Sequence, residues 1–165
     1  MSTSDVPARL SVLFVCTGNI CRSPTAEAVF RAVAHQRGWG ARVHVDSAGI
    51  QGWHAGEPPD ERSQDHARKR GYELSAQRAR AVRLDDFQRF DVLVAMDRSH
   101  LLELQQRCPP DLRHKLCLLP ADVSPGHVEV PDPYYGGPDG FDHVLDLLEA
   151  GCSRLAENLE ARLRL

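Results

Sequence analysis

An apolar run, Leu10 to Val15, ends directly on Cys16-Thr17-Gly18-Asn19-Ile20-Cys21-Arg22-Ser23, and a stretch with helical spacing starts at Pro24. A near-continuous apolar strand belongs at the centre of a parallel sheet, buried on both faces. Strand, tight loop and helix in succession also point backbone N–H groups and a helix N-terminus at an anion. This junction commits the chain to an α/β architecture and puts a candidate site at the end of its first strand.

The loop carries chemistry as well as shape. Cys16 stands where the strand ends, and Arg22 follows after five intervening residues. A thiol is a nucleophile only as its thiolate, and a helix N-terminus and a nearby guanidinium both favour that anion. Arg also grips two oxygens of a phosphate in a fork that Lys cannot match. Gly18 is expected to supply a positive φ and close backbone approach, and Asn19 to tolerate the left-handed region and brace the loop. Ser23 is placed to donate a hydrogen bond to the Cys16 sulfur, and Pro24 suits a first helical position. Against this stands a plainer reading, in which a cysteine at a strand end is a small buried hydrophobe. The Cys16–Cys21 spacing also fits a redox couple or half a metal site. No further ligands complete a metal set, and no Gly-Lys-Ser/Thr marks a nucleotide loop. On the residues alone, catalysis and packing both stand.

Further strands are expected over Val43 to Ala48, Asp91 to Ala95 and Lys115 to Leu119, and helices over Pro24 to Arg37, Asp60 to Arg70, Leu84 to Phe90, Arg98 to Arg107 and Phe141 to Leu163. Gln51 to Pro59 reads as a loop by its Gly and Pro, and Trp53 on it is either a cap over the core or a wall for an aromatic substrate. His54 reads as a rim residue. Pro120 to Gly140 is long for a loop in a compact domain, and such loops are often functional. Asp97, at a strand end, is either a support for the site or the N-cap of the next helix. Cys108, Cys117 and Cys152 are expected in or near the core.

The 165 residues suggest one domain, residues 10–165, behind a flexible N-terminus, residues 1–9. A formal net charge of −3 argues against nucleic acid or an acidic membrane as partner. Leu10 to Val15 is too short for a signal peptide or a membrane span. Five cysteines, an odd number, point to free thiols in a reducing compartment, hence the cytoplasm, with unconventional export as the alternative.

The string CTGNICRSPTAEA resembles the signature of the low-molecular-weight protein tyrosine phosphatases, C-x5-R-S/T near the N-terminus. The likeness continues through Asp46-Ser47-Ala48-Gly49, Trp53-His54, Ala95-Met96-Asp97 and Asp132-Pro133-Tyr134-Tyr135, in the family's order over nearly the whole chain. It implies a four-stranded parallel sheet with helices on both faces, a Rossmann- or flavodoxin-like three-layer sandwich. The strands read from the residues agree in number. It also implies hydrolysis of phosphotyrosine on proteins, and of small aryl phosphates, through a cysteinyl phosphate. Cys16 is then the nucleophile, and Arg22 with the loop amides from Thr17 to Arg22 holds the phosphate. Among Asp122, Asp132, Asp139 and Asp142, Asp132 is singled out as general acid and base by its flanking prolines and by the family's Asp-Pro-Tyr. Thr17, Gly18, Asn19, Ile20, Cys21, Ser23, Trp53, Tyr134 and Tyr135 are the expected substrate contacts, and Ser47, Gln77 and Asp97 the supports.

No metal or cofactor is expected, because Arg22 and the amides take the place of a cation. The expected partners are tyrosine-phosphorylated proteins, a tyrosine kinase among them, met by a monomer or weak dimer. Two departures are visible. Gln77 stands where many relatives have a histidine, and it is expected to replace that histidine as a partner of Asn19 and Ser23. Thr25 stands where Met is common. The rivals are an arsenate reductase of the same fold, which needs further cysteines to relay a disulfide, and a non-catalytic phosphotyrosine-binding module. Cys21 close to Cys16 raises a redox expectation, a protective disulfide under peroxide.

Overall fold

The structure is a computed structural model that describes residues 9–120, 127–134 and 136–163. Strand β1 (Leu10–Cys16) pairs in parallel with β2 (Val43–Gly49) on one side and β3 (Val92–Ala95) on the other. Strand β4 (Leu116–Pro120) extends the sheet in parallel beyond β3. These are the four parallel strands expected. A fifth, β5 (His127–Val128), pairs antiparallel on the β4 edge, giving the order β2-β1-β3-β4-β5. The sequence reading left β5 inside the long loop, because two residues carry no periodic signal.

Alternation along β1 explains why the strand reads as continuously apolar. Leu10, Val12, Phe14 and Cys16 point into one core with α1 (Arg22–Gln36) and α5 (Pro138–Leu159), while Leu13 and Val15 point into another. That second core includes Phe87 of α3 (Asp86–Arg89) and Leu104 of α4 (Arg98–Arg107). Each side needs its own apolar layer, so the buried positions of a central strand are hydrophobic on both faces, and the polar Ser11 falls near the strand's start, where burial is incomplete. Full burial of a side chain such as Phe14 contributes about 2–3 kcal/mol. On the first face Val29 and Phe30 of α1 meet Val144, Leu148 and Leu155 of α5. Gly151 lets α5 approach the sheet closely, since a Cβ there would lie 2.5 Å from Leu119 Cδ2. Cys108 and Cys152 are buried and Cys117 is half-buried, as expected.

Several boundaries move. Helix α1 starts at Arg22 rather than Pro24, so Pro24 lies inside the first turn, where an amide has no helical acceptor to lose. Pro138 opens α5 three residues ahead of Phe141, because its fixed φ suits a first turn. The expected helix over Leu84 to Phe90 shrinks to Asp86–Arg89. Helix α2 (Glu61–Lys69) is capped by Asp60, whose carboxylate accepts from the Arg62 and Ser63 amides. Among the described residues no helix is long and apolar enough to cross a membrane.

Candidate active site

The β1–α1 junction and the ends of β2 and β3 meet at the carboxyl ends of the parallel strands, beside residues 130–134. A pocket of about 150 Å³ opens there, lined by Cys16, Thr17, Gly18, Ile20, Cys21, Arg22, Trp53, His54, Asp132 and Tyr134. Residues separated by more than a hundred positions thus share one cavity.

The loop holds its shape through backbone and side chain together. Asn19 takes the left-handed conformation, with φ of 59°. Gly18 does not, which corrects the positive φ expected of it. Its requirement is space, because a Cβ there would lie 3.0 Å from Cδ2 of the His54 ring. Gly49 meets a tighter limit: a Cβ would come within 2.8 Å of the Thr17 carbonyl oxygen. Its bare backbone lets the following residues lie against the loop, with Ile50 N donating to Cys16 O at 2.8 Å and Gln51 N to Thr17 O at 2.9 Å.

A chain of polar contacts runs inward from the sulfur. Cys16 Sγ lies 2.9 Å from Ser23 Oγ. Asn19 Nδ2 donates to Ser23 Oγ at 2.9 Å and to Ser47 Oγ at 3.0 Å. With both amide hydrogens spent on the two hydroxyls, each hydroxyl keeps its own proton to give. Ser47 gives its proton to Glu27 Oε1 at 2.7 Å, and Ser23 faces the sulfur at 2.9 Å, with the Ala48 carbonyl a more distant acceptor at 3.4 Å. Asn19 Oδ1 accepts from the Arg80 amide at 3.0 Å, which fixes the amide plane. Burial pushes the Glu27 carboxyl above its ordinary range, and its bonds from Ser47 and Arg31 pull it part of the way back.

Gln77 stands outside this chain, and the role expected of it is corrected. Its Nε2 donates to Pro24 O at 3.0 Å, and its Oε1 is buried without a hydrogen-bond partner among the described residues. Asn19 and Ser23 are braced by Ser47, Glu27 and the Arg80 amide instead. Glu27 and Arg80 were not among the sequence candidates. An acid set among buried Ala26, Ala28, Val29 and Phe30 on one helix was the available signal for Glu27. Arg80 lies in an irregular segment and offered none.

Arg22 is buried and held from several sides. Its NH1 donates to Asp97 Oδ2 at 2.9 Å and to Val130 O at 3.0 Å, and its NH2 to Thr17 Oγ1 at 3.2 Å. Asp97 makes the contacts that both readings call for. One oxygen pairs with Arg22, and the other caps α4 by accepting from His100 N at 3.0 Å. Burial raises the Asp97 carboxyl, but Ser99, the His100 amide, His100 and Arg22 outweigh it and hold the carboxyl below its usual range.

His100, absent from the sequence candidates, is 2.7 Å from Thr17 Oγ1 and 3.5 Å from Arg22 NH2 through Nε2. Its Nδ1 is 3.2 Å from Asp97 Oδ1, off the line of a hydrogen bond. Burial first, and then the Arg22 charge, lower its pKa to about 4, so the ring is neutral at physiological pH.

The outer wall is looser. Asp132 Oδ2 is 3.6 Å from Arg22 NH2, and Oδ1 accepts from Tyr134 N at 3.0 Å, closing a tight turn across Pro133. Trp53 is 71% exposed and lines the pocket, so it does not cap the core. Tyr134 lines the other side. His54, on the rim as expected, is held by Glu57 at 3.1 Å. Tyr135 and Asp122 lie outside the described residues. Cys21 shares the pocket with Cys16, but burial pushes its thiol up to about 12, against a hydrogen bond with Ser63, so it waits as a neutral thiol. Neither Cys108, Cys117 nor Cys152 lines this pocket, so the disulfide relay of the reductase rival finds no third thiol among its lining residues.

Comparison with known proteins agrees with this geometry. A phosphatase of Streptomyces coelicolor described as a low molecular weight protein-tyrosine-phosphatase is 47% identical over 149 residues, covering 87% of this chain and 90% of that protein. The crystal structure of a protein tyrosine phosphatase from Entamoeba histolytica, with Hepes in its active site, superposes with a TM-score of 0.88 at 40% identity, covering 92% of this chain and 97% of that one. YfkJ from Bacillus subtilis superposes with a TM-score of 0.85 at 38% identity, covering 93% and 96%. The sequence profile described as low molecular weight phosphotyrosine protein phosphatase matches residues 11–165. A chain that matches this profile over nearly its full length, and gathers Cys16 and Arg22 of the signature loop in one pocket, belongs to the low molecular weight phosphotyrosine protein phosphatase family.

Proposed function

We propose that this protein hydrolyses phosphotyrosine on proteins, and small aryl phosphates, in two displacements at Cys16. The observation that carries the reading is the meeting of the Cys16 sulfur, the Arg22 guanidinium and the Asp132 carboxyl on one pocket. In the first step the Cys16 thiolate attacks phosphorus as the bond to the tyrosyl oxygen breaks. Asp132 gives its proton to that oxygen. A phenol of pKa about 10 leaves far more readily than an alkoxide, yet protonation still contributes about a hundredfold or more. In the second step water attacks the cysteinyl phosphate, the P–S bond breaks, and Asp132 takes the proton from water. Arg22 and the amides from Thr17 to Arg22 hold the equatorial oxygens and carry the charge that a metal ion would otherwise neutralise.

Ser23 serves the sulfur twice, donating to the thiolate before attack and to the leaving thiolate in the second step. Asp97 and Val130 hold NH1 of Arg22, so its orientation is set before phosphate arrives. Trp53, Ile20 and Tyr134 offer apolar surface to the phenyl ring, with Tyr135 as a further expected contact. Residues 10–165 act as one catalytic domain in the cytoplasm, as a monomer or weak dimer, on tyrosine-phosphorylated proteins that include a kinase. Peroxide is expected to join Cys16 to Cys21.

Assay of phenyl phosphate with the wild type and Cys16→Ser tests the reading. Turnover that vanishes in the variant, while phosphate binding persists, supports it. A wild type that binds phosphate and turns nothing over supports the binding module. Arsenate-dependent thiol oxidation supports the reductase.

A further inference from the structure

The start of α2 touches both halves of the site. The Asp60 amide donates to Ile20 O of the phosphate loop at 2.8 Å, and Ser63 lines a small cavity together with Cys21 of the same loop. Between them, Arg62 reaches the other half. Its guanidinium carbon lies 5.2 Å from the centre of the Tyr134 ring and 4.9 Å from that of Phe141. The plane is fixed by a fork onto Asp60, with Nε 3.1 Å from Oδ1 and NH2 3.0 Å from Oδ2. Phe141 is itself backed by His66 of α2, stacked at 5.3 Å.

Tyr134 is not independent of the proton donor. Its amide closes onto Asp132 Oδ1, and the intervening residue is Pro133, so the three move as a unit. Whatever holds the Tyr134 ring also sets the position of the Asp132 carboxyl over the phosphate loop. We propose that Arg62 is a positioning residue for the proton donor, tying the Asp132–Tyr134 turn to the element that also holds the phosphate loop.

Arg suits this place for a physical reason. A planar guanidinium can fork onto one carboxylate and still offer surface to two rings, whereas an ammonium is a point charge that does one or the other. Asp60 offsets the charge of Arg62, so its effect runs through contact rather than through attraction for phosphate.

This proposal rests on Asp132 being the acid, and the test separates the two claims. Values of kcat/KM are compared for phenyl phosphate, whose leaving group needs a proton, and 2,4-dinitrophenyl phosphate, whose leaving group does not. In Asp132→Asn the phenyl substrate alone is expected to collapse. In Arg62→Ala the phenyl substrate is expected to lose about tenfold, the scale of a lost cation–π contact with two rings, and the dinitrophenyl substrate to change by less than about twofold. Arg62→Lys is expected to fall between wild type and Arg62→Ala. The loss on Arg62→Ala is expected to disappear when Tyr134→Leu is already present, and inhibition by inorganic phosphate to stay the same.

Equal losses on both substrates, a weakened phosphate inhibition constant that Arg62→Lys restores, or a loss that persists beside Tyr134→Leu would each overturn the positioning role. A selective collapse in Asp132→Asn with no selective loss in Arg62→Ala overturns this proposal alone. No selective collapse in Asp132→Asn overturns the acid assignment and this proposal with it. Thermal melting of each variant checks that the fold is kept. A general loosening would slow both substrates alike and so count against the proposal.

Discussion

The phosphate loop and the Asp132 turn face each other across one pocket, yet they are built on opposite principles. The Arg22 side chain is 4% exposed and that of Asp132 45%. Arg22 is fixed by Asp97, Val130 and Thr17, and the Cys16 sulfur is backed by a chain of contacts reaching a buried glutamate. Among the described residues, Asp132 has one bond from a backbone amide within its own turn and a long contact to Arg22. The difference fits the roles proposed for each. Charge that stabilises a transition state works best when it is already oriented and dry, so that nothing reorganises during reaction. A group that gives a proton and later takes one must exchange with water, and full burial would prevent that.

Several measurements break or sharpen this contrast. Replacing Cys16 with Ser is expected to lower phenyl phosphate turnover by about 10⁴-fold or more, read by steady-state kinetics. Asp132→Asn is expected to cost about 10²- to 10³-fold on phenyl phosphate, with phosphate inhibition intact. If it weakens phosphate binding as strongly as turnover, the two regions do not divide the labour as described.

His100 gives a test of the buried side that needs no substrate. Its pKa is lowered from 6.5 to about 4, so the unfolded chain takes up this proton first as the pH falls. Stability from this group is full above about pH 6.5 and is lost towards pH 4, a swing of about 3 kcal/mol, or roughly a hundredfold in the folding equilibrium. Urea unfolding at pH 7 and pH 4.5 is expected to show a clearly smaller difference in His100→Asn than in the wild type. Equal differences would mean the ring is not held neutral by its burial beside Arg22.

Ser23→Ala removes the donor facing the sulfur and is expected to slow alkylation of Cys16 by iodoacetamide at pH 6 by about tenfold. Gln77→Ala, which breaks only a bond to Pro24 O, is expected to change that rate by less than about threefold. A Gln77 effect as large as that of Ser23 would restore the role the sequence suggested for it.

The parallel strands were legible because β1, β3 and β4 are mostly apolar runs and β2 alternates, each bounded by turn residues. Helix α4 was read with its observed bounds, Arg98–Arg107, because Asp97 is a clear cap. The ends of α1 and α5 were misjudged at their prolines, which a first turn tolerates at more than one position. Of the two properties expected of Gly18, the positive φ fails and the close approach remains, because the residue type alone does not say which of the two a glycine serves. The contacts of Glu27, Arg80 and His100 carry no local signal, because each acts through a neighbour distant in sequence.

The sequence by itself determined the order of strands and helices, the signature loop and the family, because these depend on local pattern and on residues a few positions apart. Only the tertiary structure decided that Asp132 and Tyr134 stand over Cys16, that Ser47 and Glu27 rather than Gln77 back Asn19, and that Arg62 lies against Tyr134. Those contacts join segments separated by tens to more than a hundred residues. Their partners are chosen by how helices and strand ends meet in space, which no local spacing encodes.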